Sequence, residues 1–121
     1  MARYRLSRPA EDDVVHILAT SAERWGAEGR RRYAAVLAAA MRKIAADPKG
    51  PTTRDRGELM RGIRSFHVRH AHNDDPESKV RRPVHVLYYR EVAPDLIEIV
   101  RVLHERMEPS RHVGARAEDE A

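Results

Sequence analysis

Apolar residues recur at helical spacing in two stretches near the N-terminus. The first stretch follows Ser7, a residue type that caps helices, and Pro9, which fits a first helical turn. Apolar positions then repeat at three- and four-residue steps as far as Gly26, where glycine favours a stop. This spacing predicts a helix whose buried face carries Val14, Ile17, Leu18, Ser21 and Trp25.

A second stretch, from about Glu28 to Ala46, has the most regular apolar spacing in the chain. Asp47-Pro48 is expected to end this helix, because proline cannot continue it. The link around Gly26 is so short that the two helices are predicted to form an antiparallel hairpin. The face expected to be buried carries Tyr33, Val36, Leu37, Ala40, Met41 and Ile44.

Strand-like composition or alternation predicts four strands, at residues 2–6, 63–70, 84–90 and 96–103. Pro94-Asp95 would form the turn between the last two, which are then expected to pair antiparallel. Residues 47–57 contain proline and glycine at irregular positions and are predicted to be a loop. The order β-α-α-β-β-β, with a short C-terminal segment, predicts an α+β fold. In it the helical hairpin packs on one face of a mainly antiparallel four-stranded sheet.

Both faces of the last two predicted strands are apolar. Two helices cover only one face of a sheet, so we expect the other face to be buried by a separate polypeptide. In the first of these strands, Val84, Val86 and Tyr88 alternate with Leu87 and Tyr89. In the second, Ile97, Ile99 and Leu103 are predicted on one side, with Val100 and Val102 on the other.

A chain of 121 residues is long enough for one domain. We expect residues 1–114 to form that domain and residues 115–121 to form a disordered acidic tail. The polar segment 71–83 is predicted to be a long exposed hairpin loop.

The net charge of +4 suits a partner that is nucleic acid or an acidic protein. The absence of cysteine excludes disulfides and thiolate zinc sites. No apolar run reaches the roughly 18 residues of a membrane span, and the start lacks the apolar core of a signal peptide. We therefore predict a cytoplasmic protein, with no cofactor and no bound metal.

Four segments together resemble the ParE-type toxins of the bacterial RelE/ParE superfamily. Glu58–Arg64 resembles their ELRxGxR stretch, and Val84–Arg90 resembles their HxIxYR strand. Ile99–Met107, followed by Arg111-His112-Val113, is similar to their terminal IxRVLHxxMDxxRHL pattern. The opening Tyr4–Asp13 also fits their start, so the resemblance extends over nearly the whole domain. The loop between the predicted strands at 63–70 and 84–90 is longer here than in typical members.

The resemblance implies the toxin of a type II toxin–antitoxin pair, which inhibits DNA gyrase and is not an enzyme. It also implies a ParD-like antitoxin whose disordered acidic C-terminal segment wraps the toxin, giving a toxin–antitoxin hetero-oligomer. For the target we expect contacts from the exposed C-terminal segment, at His104, Met107, Arg111 and His112. For the antitoxin we expect the basic helix face and the open sheet face, at Arg30, Arg31, Tyr88, Tyr89 and Arg101.

Two other functions remain open on the same fold. RelE-type relatives cut messenger RNA on the ribosome, which requires a base, an acid and cations for the phosphate. The residues here that could serve are Arg64, His104, Arg111 and His112. The chain could also be a non-toxic relative that only binds its antitoxin.

For two further groups of residues, we favour a solvated surface over a binding site. His67, His70 and His72 have a metal-like spacing, but without cysteine or a paired carboxylate nearby we predict a solvated hairpin. The run Arg30-Arg31-Arg32 is more often a solvated helix face than a direct contact with a partner.

Overall fold

A computed structural model describes residues 3–71, 80 and 82–113. The elements follow in the order β1 (Arg3–Leu6), α1 (Arg8–Ala46), β2 (Thr53–Asp55), β3 (Arg64–His67), β4 (His85–Ala93) and β5 (Leu96–His104). Short 3-10 turns lie at Val68–His70 and Pro109–Arg111. The proposed tail, 115–121, lies outside the described residues, as does most of the long loop predicted at 71–83. None of the helices in the described part of the chain is long and apolar enough to cross a membrane.

Local signals set both ends of α1. The hydroxyl of Ser7 accepts a hydrogen bond from the backbone N–H of Ala10, and Pro9 lies in the first turn. Asp47 caps the other end, and its N–H donates to the carbonyl of Lys43. The predicted start and end of the helical region are therefore confirmed.

The predicted helical hairpin is wrong. The structure has one helical element of 39 residues, α1, and its break is confined to Gly26, with φ 74° and ψ −173°. A positive φ of this kind is strained for residues with a side chain, so glycine permits a break inside the element where we expected a stop and a link.

The predicted four-stranded, mainly antiparallel sheet is also wrong. The described residues form a five-stranded mixed sheet in the order β1-β5-β4-β3-β2. β1 pairs parallel to β5, with Tyr4 opposite Ile97, whereas the other neighbours pair antiparallel. The extra strand, β2, lies in the segment predicted as loop and forms the edge beside β3.

The main core lies between α1 and one face of the sheet. Both halves of α1 contribute to it, through Ile17 on one side of Gly26 and Leu37 on the other. From the sheet come Phe66, Leu87 and Tyr89, each 1% exposed or less. The full set of buried residues is Ala10, Ile17, Tyr33, Val36, Leu37, Ala40, Met41, Ile44, Phe66, Val68, Leu87, Tyr89, Ile97, Ile99 and Val102.

A second apolar cluster covers the opposite face of the sheet. Ile63, Tyr88, Leu103 and Val113 are all 5% exposed or less and pack together. Leu59 and Met60, from the loop before β3, pack against them. The expectation that this face needs a separate polypeptide to bury it is therefore wrong, because the chain's own loop and C-terminal segment cover it.

A register shift changes which residues of β5 share a face. Tyr88 lies opposite Arg101 but Tyr89 lies opposite Ile99, so β5 has one extra residue, Val100, at this point. Beyond it the alternation reverses, because each added residue moves all later side chains to the other face. Leu103 consequently joins Tyr88 in the second cluster, whereas Val102 joins the main core with Ile99. The predicted alternation is confirmed in β4 and wrong in β5.

Candidate target-binding surface

The C-terminal segment, residues 105–113, leaves the end of β5 and turns back across the sheet face opposite α1. Its first turn is held by a bond from the Met107 N–H to the His104 carbonyl (2.9 Å). The Glu108 carboxylate then accepts from the Ser110 N–H (3.2 Å), and the Val113 N–H donates to the Pro109 carbonyl (2.8 Å). With Val113 buried at 1% exposure, the segment has a defined shape and a fixed end.

The four residues predicted to contact the target fall into two groups. Met107 and Arg111 are exposed to solvent, Met107 at 39%. His104 and His112 are half-buried. The His112 carbonyl accepts a long hydrogen bond from Arg101 Nη1 (3.5 Å), and the ring of His104 contacts the ring of His85 (centroids 5.6 Å apart). Direct contact of these four residues with a target stays a prediction.

Tyr33 and His85 form a hydrogen bond between α1 and the start of β4. The Tyr33 hydroxyl lies 2.5 Å from His85 Nδ1, and the same hydroxyl accepts from the Val84 N–H (3.3 Å). Burial, followed by the nearby rings of His104 and His67, lowers the pKa of His85 to about 4. Burial also raises the pKa of Tyr33 to about 12. Near neutral pH, both side chains are therefore uncharged.

His67 lies beside the start of the C-terminal segment. Its Nε2 is 3.5 Å from the Glu105 carboxylate, and its Nδ1 accepts from the Arg69 N–H (3.0 Å). Burial outweighs the attraction of Glu105, so the pKa of His67 lies below its usual value. His70 contacts the ring of Phe66. No cluster of three metal-ligating side chains occurs in the described part of the chain, and His72 lies outside it.

Two of the four residues proposed for RNA cleavage, Arg64 and His104, lie far apart along the sheet. Arg64 lies opposite Tyr89 and His104 lies opposite His85, so they are four residues apart along β4, about 13 Å. Arg64 instead donates from Nη2 to the Thr53 hydroxyl (2.8 Å).

The residues predicted to contact an antitoxin have different surroundings. Arg30 and Arg31 are exposed on α1, and Arg31 pairs with Glu28 (2.6 Å). Tyr88 and Tyr89 are 5% and 1% exposed, and the Tyr89 hydroxyl donates to the Pro48 carbonyl (2.5 Å). Arg101 pairs with Asp13 (2.8 Å). Their part in antitoxin binding stays a prediction.

Two exposed features were missed by the sequence reasoning. Val15 and Trp25 are 69% and 72% exposed on α1, although Trp25 was assigned to a buried face. The segment before β3 was noted only for the resemblance of Glu58–Arg64, and no contact was assigned to it, yet the Arg56 guanidinium lies over the Tyr88 ring (5.9 Å). The arginines here could have drawn attention to this segment, since Arg54 in β2 and Arg56 and Arg61 in the loop lie within eight residues.

The chain was compared with known proteins. A family model described as "ParE toxin of type II toxin-antitoxin system, parDE" matches residues 4–109. The chain is similar to "Toxin ParE1" of Caulobacter vibrioides, with 33% identity over 114 residues, 94% of this chain and 100% of that protein. It is also similar to "Toxin ParE1" of Mycobacterium tuberculosis (strain CDC 1551 / Oshkosh), with 30% identity over 112 residues, 93% of this chain and 98% of that protein.

Proposed function

Because the chain belongs to the ParE toxins of type II toxin–antitoxin systems, we propose that it arrests growth by binding and inhibiting DNA gyrase in the cytoplasm. It acts by binding and not by catalysis, and a ParD-like antitoxin neutralises it. Membership of the family gives the toxin role and an antitoxin partner; the gyrase target and the kind of antitoxin are the proposal.

The observation that carries the proposal is the shape of the C-terminal segment. Residues 105–113 are held by backbone hydrogen bonds and anchored by Val113, while Met107 and Arg111 remain exposed. A surface that is ordered before binding loses little conformational entropy when it docks. Methionine and arginine are also residue types enriched at protein interfaces.

The separation of the proposed nuclease residues supports binding over catalysis. A base and a phosphate-binding cation must both reach one phosphodiester, within about 3 Å of the reacting atoms. The backbone positions of Arg64 and His104 are offset by about 13 Å along β4, and the Arg64 guanidinium donates to the Thr53 hydroxyl.

Two exposed apolar side chains on α1 support antitoxin binding. Val15 and Trp25 are the most exposed large apolar side chains in the described residues, and Arg30 and Arg31 follow them on the same helix. An acidic segment with apolar anchors would cover both features, since its carboxylates would face the arginines. The family membership gives an antitoxin partner, and its acidic segment is part of the proposal.

The experiment is induction of the chain in bacteria, with and without the protein encoded next to its gene. We expect growth arrest, double-strand DNA breaks and a DNA-damage response, all suppressed by the neighbouring protein. Trp25→Ser should weaken this rescue, with Glu23→Gln on the same helix as the matched control. Cuts within codons of messenger RNA would refute gyrase inhibition and indicate a nuclease. Undisturbed growth at good expression would indicate a non-toxic relative.

A further inference from the structure

The loop before β3, residues 56–62, faces the same side of the sheet as the C-terminal segment. Leu59 and Met60 pack on the second cluster, in which Val113 is the buried end of the C-terminal segment. Tyr88 lies between them, because it belongs to that cluster and also contacts Arg56. Both segments therefore pack on the second cluster, although about 50 residues separate them in sequence.

This loop is internally fixed by backbone bonds. The Arg56 N–H donates to the Ile63 carbonyl (2.9 Å), and the Ile63 N–H donates to the Met60 carbonyl (3.0 Å). Gly62 has φ 86°, a conformation that closes the turn and is strained for other residues. Gly57 is held by the Asp55 carboxylate (2.8 Å). Like the C-terminal segment, the loop presents its exposed side chains from a defined backbone.

Three exposed arginines on this joint surface lack an acidic partner among the described residues. Arg61, Arg106 and Arg111 are exposed and form no ion pair within the described ranges. Each of the three exposed acids on the two segments has a contact: Glu58 accepts from Arg56 Nε (2.8 Å), Glu105 lies 3.5 Å from His67 Nε2, and Glu108 accepts from the Ser110 N–H (3.2 Å). The cations that remain available suit a negatively charged partner.

We infer that residues 56–62 and the C-terminal segment form a single target-binding surface, whose partner is an acidic patch on the toxin's protein target. This inference rests on the proposed function and extends it to Arg61. A protein fits better than nucleic acid because the apolar side chain of Met107 is exposed on the C-terminal segment, and methionine is a residue type enriched at protein interfaces.

The test compares two charge reversals. Arg61→Glu lies on the proposed surface, and Arg42→Glu reverses another exposed arginine, on α1, which packs on the other face of the sheet. Arg111→Glu is the positive reference. Each variant is checked for unchanged urea stability and unchanged affinity for the antitoxin. It is then measured for colony survival after induction and for inhibition of purified gyrase.

We expect Arg61→Glu and Arg111→Glu to lose at least about 10-fold in potency, because a reversed charge repels an acidic partner. Arg42→Glu should match the wild type. If Arg111→Glu loses potency and Arg61→Glu does not, the joint surface is refuted while the proposed function stands.

Other outcomes separate the two claims. A wild type that arrests growth but leaves gyrase active refutes the gyrase target, and colony survival of the two variants still decides the surface. If the wild type binds a short DNA duplex and Arg61→Glu abolishes that binding, the protein partner is refuted. A wild type that does not arrest growth refutes both.

Discussion

Asp13 on α1 and Arg101 on β5 are joined by two hydrogen bonds of 2.8 Å, from Arg101 Nε and Nη2 to the two carboxylate oxygens. One of these oxygens also accepts the Val102 N–H at 2.9 Å. β1 ends at Leu6, opposite Ile99, so the backbone of β5 beyond this point has no strand beside it on the β1 side, although it still pairs with β4. Asp13 therefore replaces strand pairing at an edge and ties α1 to the strand that leads into the C-terminal segment.

We predict that Asp13→Asn lowers the free energy of unfolding by about 2–3 kcal/mol, because it removes the charge facing Arg101 in a site where both side chains are mostly buried. Asp12→Asn, at an exposed neighbouring position, should change it by less than about 0.5 kcal/mol. Urea unfolding of the two variants measures the difference. Equal midpoints would show that the Asp13–Arg101 pair contributes nothing to stability.

The pKa of His85 predicts a pH dependence of stability. Folding lowers this pKa to about 4 from its usual value of 6.5, mainly through burial, so the folded state binds fewer protons than the unfolded state between these values. The contribution of His85 to the free energy of unfolding is fully present above pH 6.5 and is lost as the pH falls towards 4. Protonation at Nδ1 would also remove the acceptor that faces the Tyr33 hydroxyl.

His85→Gln should flatten the pH dependence of unfolding between pH 6.5 and 4, since glutamine does not titrate. His16→Gln, at an exposed position on α1, is the control and should leave the wild-type slope. The measurement is urea unfolding at a series of pH values, compared as differences between variants so that other titrating groups cancel. Identical slopes for His85→Gln and the wild type would rule out this role.

Gly29 gives a prediction that opposes helix propensity. A Cβ added at Gly29 would lie 2.2 Å from the Cβ of Trp25, so Gly29→Ala should destabilise the fold by about 1–3 kcal/mol. Propensity alone would predict a gain of about 1 kcal/mol from the same change. Trp25→Ala should not rescue the variant, because alanine keeps the clashing Cβ. Thermal unfolding decides the sign, and a raised midpoint would contradict the close approach at the Gly26 break.

Within the C-terminal segment, we expect Val113 to anchor the segment to the sheet and Met107 to contact the target. Val113→Ala should cost about 1–2 kcal/mol of unfolding free energy, because Val113 is buried against Ile63, Tyr88 and Leu103. Met107→Ala should leave stability within about 0.5 kcal/mol but weaken growth arrest, since Met107 is exposed. Stability and colony survival are measured for both. A destabilised Met107→Ala variant would contradict the contact role of Met107. A Val113→Ala variant as stable as the wild type would contradict the anchoring role of Val113.

Local sequence signals predicted the ends of α1 and the last hairpin. Ser7 and Asp47 act through bonds to residues three or four positions away, and Pro9 acts through its own fixed φ, so their effects are visible in the sequence. The turn at Pro94-Asp95 is similarly local, and Asp95 takes a positive φ of 62°. β4 also shows the predicted alternation, because the main core and the second cluster bury its two faces.

Features set by distant pairing could not be predicted. β2 is three residues long and forms only by pairing with β3, and nothing in Thr53–Asp55 alone indicates a strand. The parallel contact of β1 with β5 joins residues more than 90 positions apart. The cover of the second sheet face comes from Leu59, Met60 and Val113, which lie in loops without periodicity. That omission led us to expect an uncovered face.

Inhibition of purified DNA gyrase by the purified chain is the most direct test of the account. We predict that the wild type blocks supercoiling of relaxed plasmid in a dose-dependent way, that Met107→Ala is weaker, and that the antitoxin restores activity when added first. Normal supercoiling at a large excess of folded toxin, in a preparation that still arrests growth in cells, would contradict the proposal that gyrase is the target.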